Sequence, residues 1–335
     1  MQRAMATGSF PILFITSTRI GDAVLSSGLI KRLADEIPQA TFTIVAGPVA
    51  APLFAEAPHL DEVIIFAKAK DGRHWFDLWR RVRRTRWGLV VDMRGSGIAR
   101  FLSAKRRAIY SRPSGPPMHK VLEAARVLRI EDDPAPPHIF TSPAIEAYAE
   151  ELTAGKGPIL ALAPAANWVG KTWPLERFSQ VAIRLLRNRG APLENGRLMV
   201  LGGRTESNLG RDFKDVVGRG QLIDLAGKVD LLTAYACLKR ARLFIGNDSG
   251  TMHLAAAAGI PTLGLFGPSD DRQYGPWGEN ARVVRGLRSF DQVRESDPRL
   301  NQVICHMMDL GVEPVLRAAE KLLADTQDAQ DVKQP

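Results

Sequence analysis

Three short stretches hold residue types that chemistry could use, and each follows a run of apolar residues. The first is Ile245-Gly246-Asn247-Asp248-Ser249-Gly250-Thr251-Met252-His253, which runs into Leu254-Ala255-Ala256-Ala257. Two glycines flank small polar residues there, and the alanine-rich continuation predicts a helix from about Thr251. The free N–H groups at such a helix start, with the positive end of its dipole, form an anion site suited to a diphosphate. Asp248 could then accept hydrogen bonds from sugar hydroxyls, while His253 would stand one turn inside the helix. The same residues would serve equally as a helix cap without a ligand, since Asn, Asp and Ser are preferred at that position for capping alone.

The second stretch is Pro164-Ala165-Ala166-Asn167-Trp168-Val169-Gly170-Lys171-Thr172-Trp173-Pro174. Gly170-Lys171-Thr172 copies the end of a Walker A loop, whose lysine reaches the outer phosphates of a nucleotide. The first glycine of that pattern is Ala165 here, and Pro174 falls where the Walker helix should begin. A lysine on a strand-to-helix turn can still neutralise a diphosphate leaving group; the plain alternative is a solvated surface lysine. The third stretch, Thr16-Ser17-Thr18-Arg19-Ile20-Gly21-Asp22-Ala23-Val24-Leu25, places Asp22 at the head of a helix, where the dipole stabilises a carboxylate. Asp22 reads as a general base, or as a first-turn or capping acid.

Other chemistries find less support. Gly95-Ser96-Gly97 and Gly218-Arg219-Gly220 have Arg100 and Ile223 where the third glycine of a dinucleotide fingerprint belongs. No Asp-x-Asp metal diad occurs, and no His, Cys or carboxylate cluster has metal-ligand spacing.

The elements that must position these turns alternate between short apolar runs and helix-length amphipathic segments, the signature of βα units and parallel sheets. One series has strands at 12–16, 42–46, 63–66 and 89–93 and helices near 22–36, 49–56, 74–84 and 120–128. A second has strands at 159–163, 198–201, 222–225, 243–245 and 262–266 and helices near 175–188, 231–239 and 251–258. Between them Glu131-Asp132-Asp133-Pro134-Ala135-Pro136-Pro137 can continue neither a helix nor a central strand, which makes it the hinge. The chain's 335 residues suit two domains. They divide into an N-terminal Rossmann-like domain over 1–135, a linker over 136–157, a C-terminal Rossmann-like domain over 158–311, a closing helix over 312–325 and a disordered tail over 326–335.

No apolar run reaches the roughly 20 residues of a membrane span, and the apolar stretch 10–15 is too short for a secretory segment. Cys237 and Cys305 lack paired spacing, so a reducing, cytoplasmic setting is expected. Charge is concentrated: of the 45 Lys and Arg in the chain, fourteen fall between Lys68 and Arg112 against three Asp, so an anionic partner is expected there.

Taken together, the turns resemble the ADP-heptose:lipopolysaccharide heptosyltransferase family. The matching features are Gly21-Asp22 after the first strand, Lys171-Thr172-Trp173-Pro174 opening the second domain, and Asn247 through His253, supported by Leu225-Ala226-Gly227 and Leu265-Phe266-Gly267-Pro268-Ser269. The resemblance implies two facing Rossmann-like parallel-sheet domains (GT-B-type) with an interdomain cleft, the N-terminal one binding acceptor and the C-terminal one donor. It implies an inverting, metal-independent transfer of heptose from ADP-heptose to an acceptor hydroxyl of the lipopolysaccharide inner core. Asp22 and Lys171 become the catalytic residues, and Thr172, Glu206, Asp248, Ser249, Gly250, Thr251 and His253 the donor-binding ones. Glu206 stands nearest to where the family often places a ribose-contacting acid, and 288–308 has no counterpart in the pattern.

On this template the basic segment faces an anionic glycolipid acceptor, with Arg94, Arg100, Lys105, Arg106 and Arg107 as its contacts. The helix carrying Trp75, Leu78, Trp79 and Val82 on one face and Arg80, Arg81, Arg83 and Arg84 elsewhere is basic and amphipathic, suited to an anionic inner-membrane surface. The tryptophans are expected to pack on the sheet. The expectation is a monomer at the cytoplasmic face of the inner membrane, with an ADP-sugar as co-substrate, no cofactor and no nucleic-acid partner. Readings that stay open are another nucleotide sugar, a protein acceptor, a P-loop-like nucleotide hydrolase and a non-catalytic nucleotide-sugar-binding module.

Overall fold

The computed structural model describes residues 8–331 apart from 70, 219 and 301, with side chains described to 326. It divides into two compact units, 1–142 and 143–335. The first contains β1 (Phe10–Ile15), α1 (Ile20–Glu36), β2 (Ala40–Ala46), β3 (Leu60–Ile65), α2 (Arg73–Val82), β4 (Trp87–Asp92), β5 (Ala104–Ile109) and α3 (Lys120–Leu128). Its five strands are all parallel, in the order β3-β2-β1-β4-β5. The second contains α4 (Pro143–Leu152), β6 (Ile159–Ala163), α5 (Leu175–Leu186), β7 (Arg197–Val200), α6 (Leu209–Asp212), β8 (Leu222–Asp224), α7 (Leu231–Leu238), β9 (Leu243–Asn247), α8 (Gly250–Ala257), β10 (Thr262–Phe266), α9 (Asp271–Tyr274), β11 (Ala281–Arg285), α10 (Phe290–Ser296) and α11 (Val312–Asp331). Six parallel strands run β11-β10-β9-β6-β7-β8.

Both sheets are wound outward in two directions from their first strand. The order therefore reverses between β1 and β4 in one unit and between β6 and β9 in the other. Ligands of open α/β sheets bind at the carboxyl ends of the strands flanking such a reversal. The central strands are apolar on both faces because helices cover both, and β4, β6 and β9 are buried along their whole length.

Two strands escape the apolar pattern, β5 (Ala-Lys-Arg-Arg-Ala-Ile) and β11 (Ala-Arg-Val-Val-Arg), and both lie at sheet edges. An outer strand needs few apolar residues, and Lys or Arg on it blocks pairing with other chains. The proline-rich segment read as a hinge packs on α1 within the first unit. A β-carbon on Gly28 would come within 2.1 Å of the Pro136 carbonyl oxygen, so glycine permits the approach. Arg32 pairs with Asp133 at 2.8 Å, and Ser27 accepts the His138 N–H. The stretch expected to be linker includes α4, whose Glu146 pairs with Lys239 and Arg240 beyond α7. The closing helix packs Val315, Ala319, Leu322 and Leu323 into the core with Phe178, Val181 and Leu185 of α5. It continues to Asp331, so 326–331 is helical rather than a disordered tail, and 332–335 lies outside the described residues.

Candidate active site

The carboxyl ends of β6 and β9 bear the two richest turns, and one buried side chain ties them together. Asn247, the last residue of β9 and 0% exposed, donates from Nδ2 to the Pro164 carbonyl at 2.6 Å and accepts the Trp173 N–H at Oδ1 at 3.1 Å. It thus holds both ends of the 164–173 turn. Asn247→Ala leaves a buried donor and acceptor unpaired, at about 1–3 kcal/mol each. A loss of about 2–6 kcal/mol of stability is expected in denaturant unfolding. An unchanged midpoint would contradict this clamp.

Within the clamp the structure brings Lys171 and Asp248 together. Lys171 Nζ lies 2.5 Å from Asp248 Oδ2, and Asp248 is 7% exposed. Lys171 keeps part of its surface open, so it is neither the fully solvated lysine nor a buried one. Ser249 is the N-cap of α8 and accepts the Met252 N–H at 3.4 Å. The capping reading thus holds for Ser249, while the neighbouring Asp248 is left to the lysine. Gly250 and Thr251 open α8, with their N–H groups in its first turn, and His253 lies buried one turn in. Thr172 donates its hydroxyl to the Trp168 carbonyl at 3.2 Å, so only acceptor capacity remains for a ligand. Glu206 follows β7 in a short 3-10 turn and accepts the Thr205 hydroxyl at 2.6 Å. In the turn after β10, burial raises the Asp270 pKa, but hydrogen bonds from Arg272 and Gln273 outweigh it and hold the carboxyl below its ordinary value.

Residues 288–308, for which the family pattern has no place, support the Lys171 turn from behind. His306 donates its N–H to the Gly170 carbonyl at 3.1 Å, and Cys305 Sγ donates to the Thr172 carbonyl at 3.1 Å. The His306 ring lies 5.7 Å from that of Trp168, and its Nε2 is 3.2 Å from Asp297 Oδ2, with both side chains buried. Further on, the Leu310 carbonyl accepts from Trp173 Nε1 at 2.8 Å and from Arg177 at 2.5 Å. Sequence reading missed these supports because residues 170 and 306 are far apart in the chain and share no pattern.

In the first unit, β1 ends in the turn that carries Asp22. Arg19 is the N-cap of α1 without a side-chain cap bond, so Asp22 is a first-turn acid, and the dipole favours its charge. Ser17 donates to Asp22 Oδ2 at 3.4 Å. Beside it, β4 ends at the fully buried Asp92, which accepts from the Arg94 N–H, the Ser96 N–H and the Ser96 hydroxyl.

The five basic residues expected to bind acceptor are not one cluster. Arg94 lies at the carboxyl end, its guanidinium 5.1 Å from the Phe66 ring centre and 5.2 Å from that of Trp75. Burial lowers its pKa, against the pull of Asp92, without threatening its charge. Arg100 is exposed on a short 3-10 turn. Lys105 and Arg106 lie on β5, and Arg106 is in register with Leu89. At about 3.3 Å per residue they stand roughly 10–13 Å back from the carboxyl edge. Arg107 directs its guanidinium to the carbonyls of Ala99, Leu102 and Ala104, which makes it a brace for that turn.

A family model described as glycosyltransferase family 9 (heptosyltransferase) matches residues 78–301, a span that takes in Lys171 and Asp248 and begins after Asp22. Lipooligosaccharide heptosyltransferase 2 of Haemophilus influenzae is 24% identical over 353 residues, covering 93% of this chain and 99% of its own. The fold is similar to that of the E. coli ADP-heptose lps heptosyltransferase II, with a TM-score of 0.72 at 20% identity, over 95% of this chain and all of that one. It is also similar to a glycosyl transferase family 9 structure from Veillonella parvula, with a TM-score of 0.73 at 21% identity, over 94% of this chain and 97% of that one.

Proposed function

Because the chain belongs to glycosyltransferase family 9, the heptosyltransferases, we propose that this glycosyltransferase moves a heptose from ADP-heptose to a hydroxyl of the lipopolysaccharide inner core. The observation that carries the donor side is the Lys171–Asp248 pair at the sheet reversal, beside the open first turn of α8. When the diphosphate arrives, Lys171 exchanges Asp248 for a phosphate oxygen, and the carboxylate so released accepts hydrogen bonds from the sugar. The N–H groups of Gly250 and Thr251 add fixed partial charge at the same place. The E. coli ADP-heptose lps heptosyltransferase II, which shares this fold, supports that pairing of donor and acceptor.

The transfer is a single inverting displacement that needs no metal. The acceptor oxygen attacks the anomeric carbon as its proton passes to Asp22, and the bond from that carbon to the phosphate oxygen breaks, with the electron pair leaving on ADP. Lys171 meets the charge that develops there. Donor binding falls to the C-terminal domain and acceptor binding to the N-terminal one, where Arg94 and Arg100 remain the best-placed cations. The enzyme works as a monomer at the cytoplasmic face of the inner membrane.

A P-loop hydrolase reading loses its basis in the local fold. A Walker helix would start at the lysine, whereas α5 starts only after Pro174 and Gly170-Lys171 belongs to a separate 3-10 turn. Calorimetric titration tests the donor assignment. ADP and ADP-heptose are expected to bind at least about tenfold more tightly than UDP- and GDP-sugars, a difference of about 1.4 kcal/mol. Equal affinity for all three bases would sink the ADP-sugar reading.

A further inference from the structure

Helix α2 carries an aromatic and basic surface that none of the chemistry above uses. Its inner face is settled: Leu78 and Val82 are core residues, and the Trp75 ring packs 4.5 Å from that of Phe66. Trp79 is partly covered, packed at the edge of the core. Its Nε1 donates to the Phe101 carbonyl at 3.3 Å, and its ring lies 5.8 Å from that of Phe76. Phe76 is 58% exposed and Phe101 77% exposed. Phe76 and Trp79 of α2, with Phe101 on the 3-10 turn whose carbonyl Trp79 bonds, thus put aromatic side chains on one stretch of surface.

Arginines border that stretch. Arg83 stacks over Trp79 at 4.8 Å, Arg100 directly precedes Phe101, and Arg80 and Arg84 are exposed on the same helix or its end. Asp77 lies 3.9 Å from Arg80, and Arg81 is bound to Glu62. Among the described residues, neither Arg83 nor Arg84 has a carboxylate within ion-pair distance. Leaving adjacent aromatic rings in water is unfavourable unless something else covers them. Rings at headgroup depth flanked by guanidinium groups match the interface of an anionic bilayer, where each cation near the surface adds about fivefold to partition.

We propose that Phe76, Trp79 and Phe101, with Arg80, Arg83 and Arg84, form the face by which this protein docks on an anionic phospholipid membrane. Rings that can insert at headgroup depth beside exposed arginines complement both the apolar interior and the negative surface of such a bilayer, which is the occupant assigned here. The assignment rests on the reading above only in that the acceptor is a membrane glycolipid. It corrects the expectation that α2 offers its arginines alone, because the exposed phenylalanines come from positions that no periodicity singles out.

The test is sedimentation of the full chain with vesicles of phosphatidylglycerol in phosphatidylcholine, compared with pure phosphatidylcholine. Binding to the anionic vesicles is expected, weakening as salt rises. Phe76→Ser with Phe101→Ser should lower the partition coefficient at least about tenfold. Arg80→Glu with Arg83→Glu and Arg84→Glu should lower it at least about a hundredfold. Because all five side chains are exposed, melting curves and transfer to a water-soluble truncated acceptor should match the unsubstituted protein. The proposal is overturned if the unsubstituted chain ignores anionic vesicles, if both variants bind as it does, or if binding requires acceptor glycolipid in the vesicle. Vesicle binding with no transfer from ADP-heptose would uphold the surface and reject the proposed reaction; transfer to the soluble acceptor without vesicle binding would do the reverse.

Discussion

Asp22→Asn is expected to lower kcat for heptose transfer by about 10²–10⁴ while leaving the affinity for ADP-heptose within about twofold. The substitution keeps the shape of the side chain and its capacity to accept from Ser17 Oγ, so the start of α1 is preserved. In the proposed mechanism, what it removes is the negative oxygen that would take the acceptor proton as the new glycosidic bond forms. Losing the charge from the first turn of α1 costs only about 0.3–1 kcal/mol of folding stability through the dipole, too little to unfold the domain. Activity and stability are therefore separable, and a melting curve measured alongside the kinetics checks that they are. Full activity in the Asn variant would remove Asp22 from the chemistry and leave it as a residue that favours helix initiation.

Lys171→Ala is expected to reduce kcat/KM for the donor by about 10²–10³, the loss typical of one preorganised group that stabilises a developing negative charge. It should also destabilise the C-terminal domain, because Asp248 is nearly buried and would lose the cation 2.5 Å away. Leaving one member of such a pair alone costs about 1–3 kcal/mol or more. The double variant Lys171→Ala with Asp248→Asn separates the two effects. With no uncompensated carboxylate it should recover most of the stability, yet transfer should stay as low as in the single variant, because nothing meets the charge on departing ADP. If the double variant regained transfer, Lys171 would be a structural partner of Asp248 and the leaving-group assignment would fall. The Asp248 carboxylate is what lets Lys171 be held half-buried in the free protein.

Much of this was legible from residue order because it depends on neighbours in sequence. The strands at 159–163 and 262–266 and the helix at 120–128 coincide with β6, β10 and α3, since continuous burial and a 3.6-residue period leave their mark within a few residues. The turns bearing Asp22, Lys171 and Asp248 could be located for the same reason: each follows a central strand and precedes a helix. The edge strands β5 and β11 were hidden because exposure removes the apolar signal. Helix α4 was hidden by the proline-rich segment before it, which packs on α1.

The sequence by itself determined the two βα series, the chemical types available in each turn and the concentration of cations between 68 and 112. Those follow from local periodicity, capping preference and charge count, all of which act over a few residues. Only the tertiary structure decided that Lys171 and Asp248 form a pair, that Asn247 clamps both turns, and that residues from 297 to 310 support the lysine. It also separated Arg94 at the carboxyl edge from Lys105 and Arg106 farther back, set the Arg107 guanidinium against the carbonyls of Ala99 and Leu102, and left Phe76 and Phe101 in solvent. Those outcomes depend on strand order and register, which bring residues 74 to 137 positions apart into contact. No local pattern encodes such distances; the sheet sets them when the central strands pair and bury their faces.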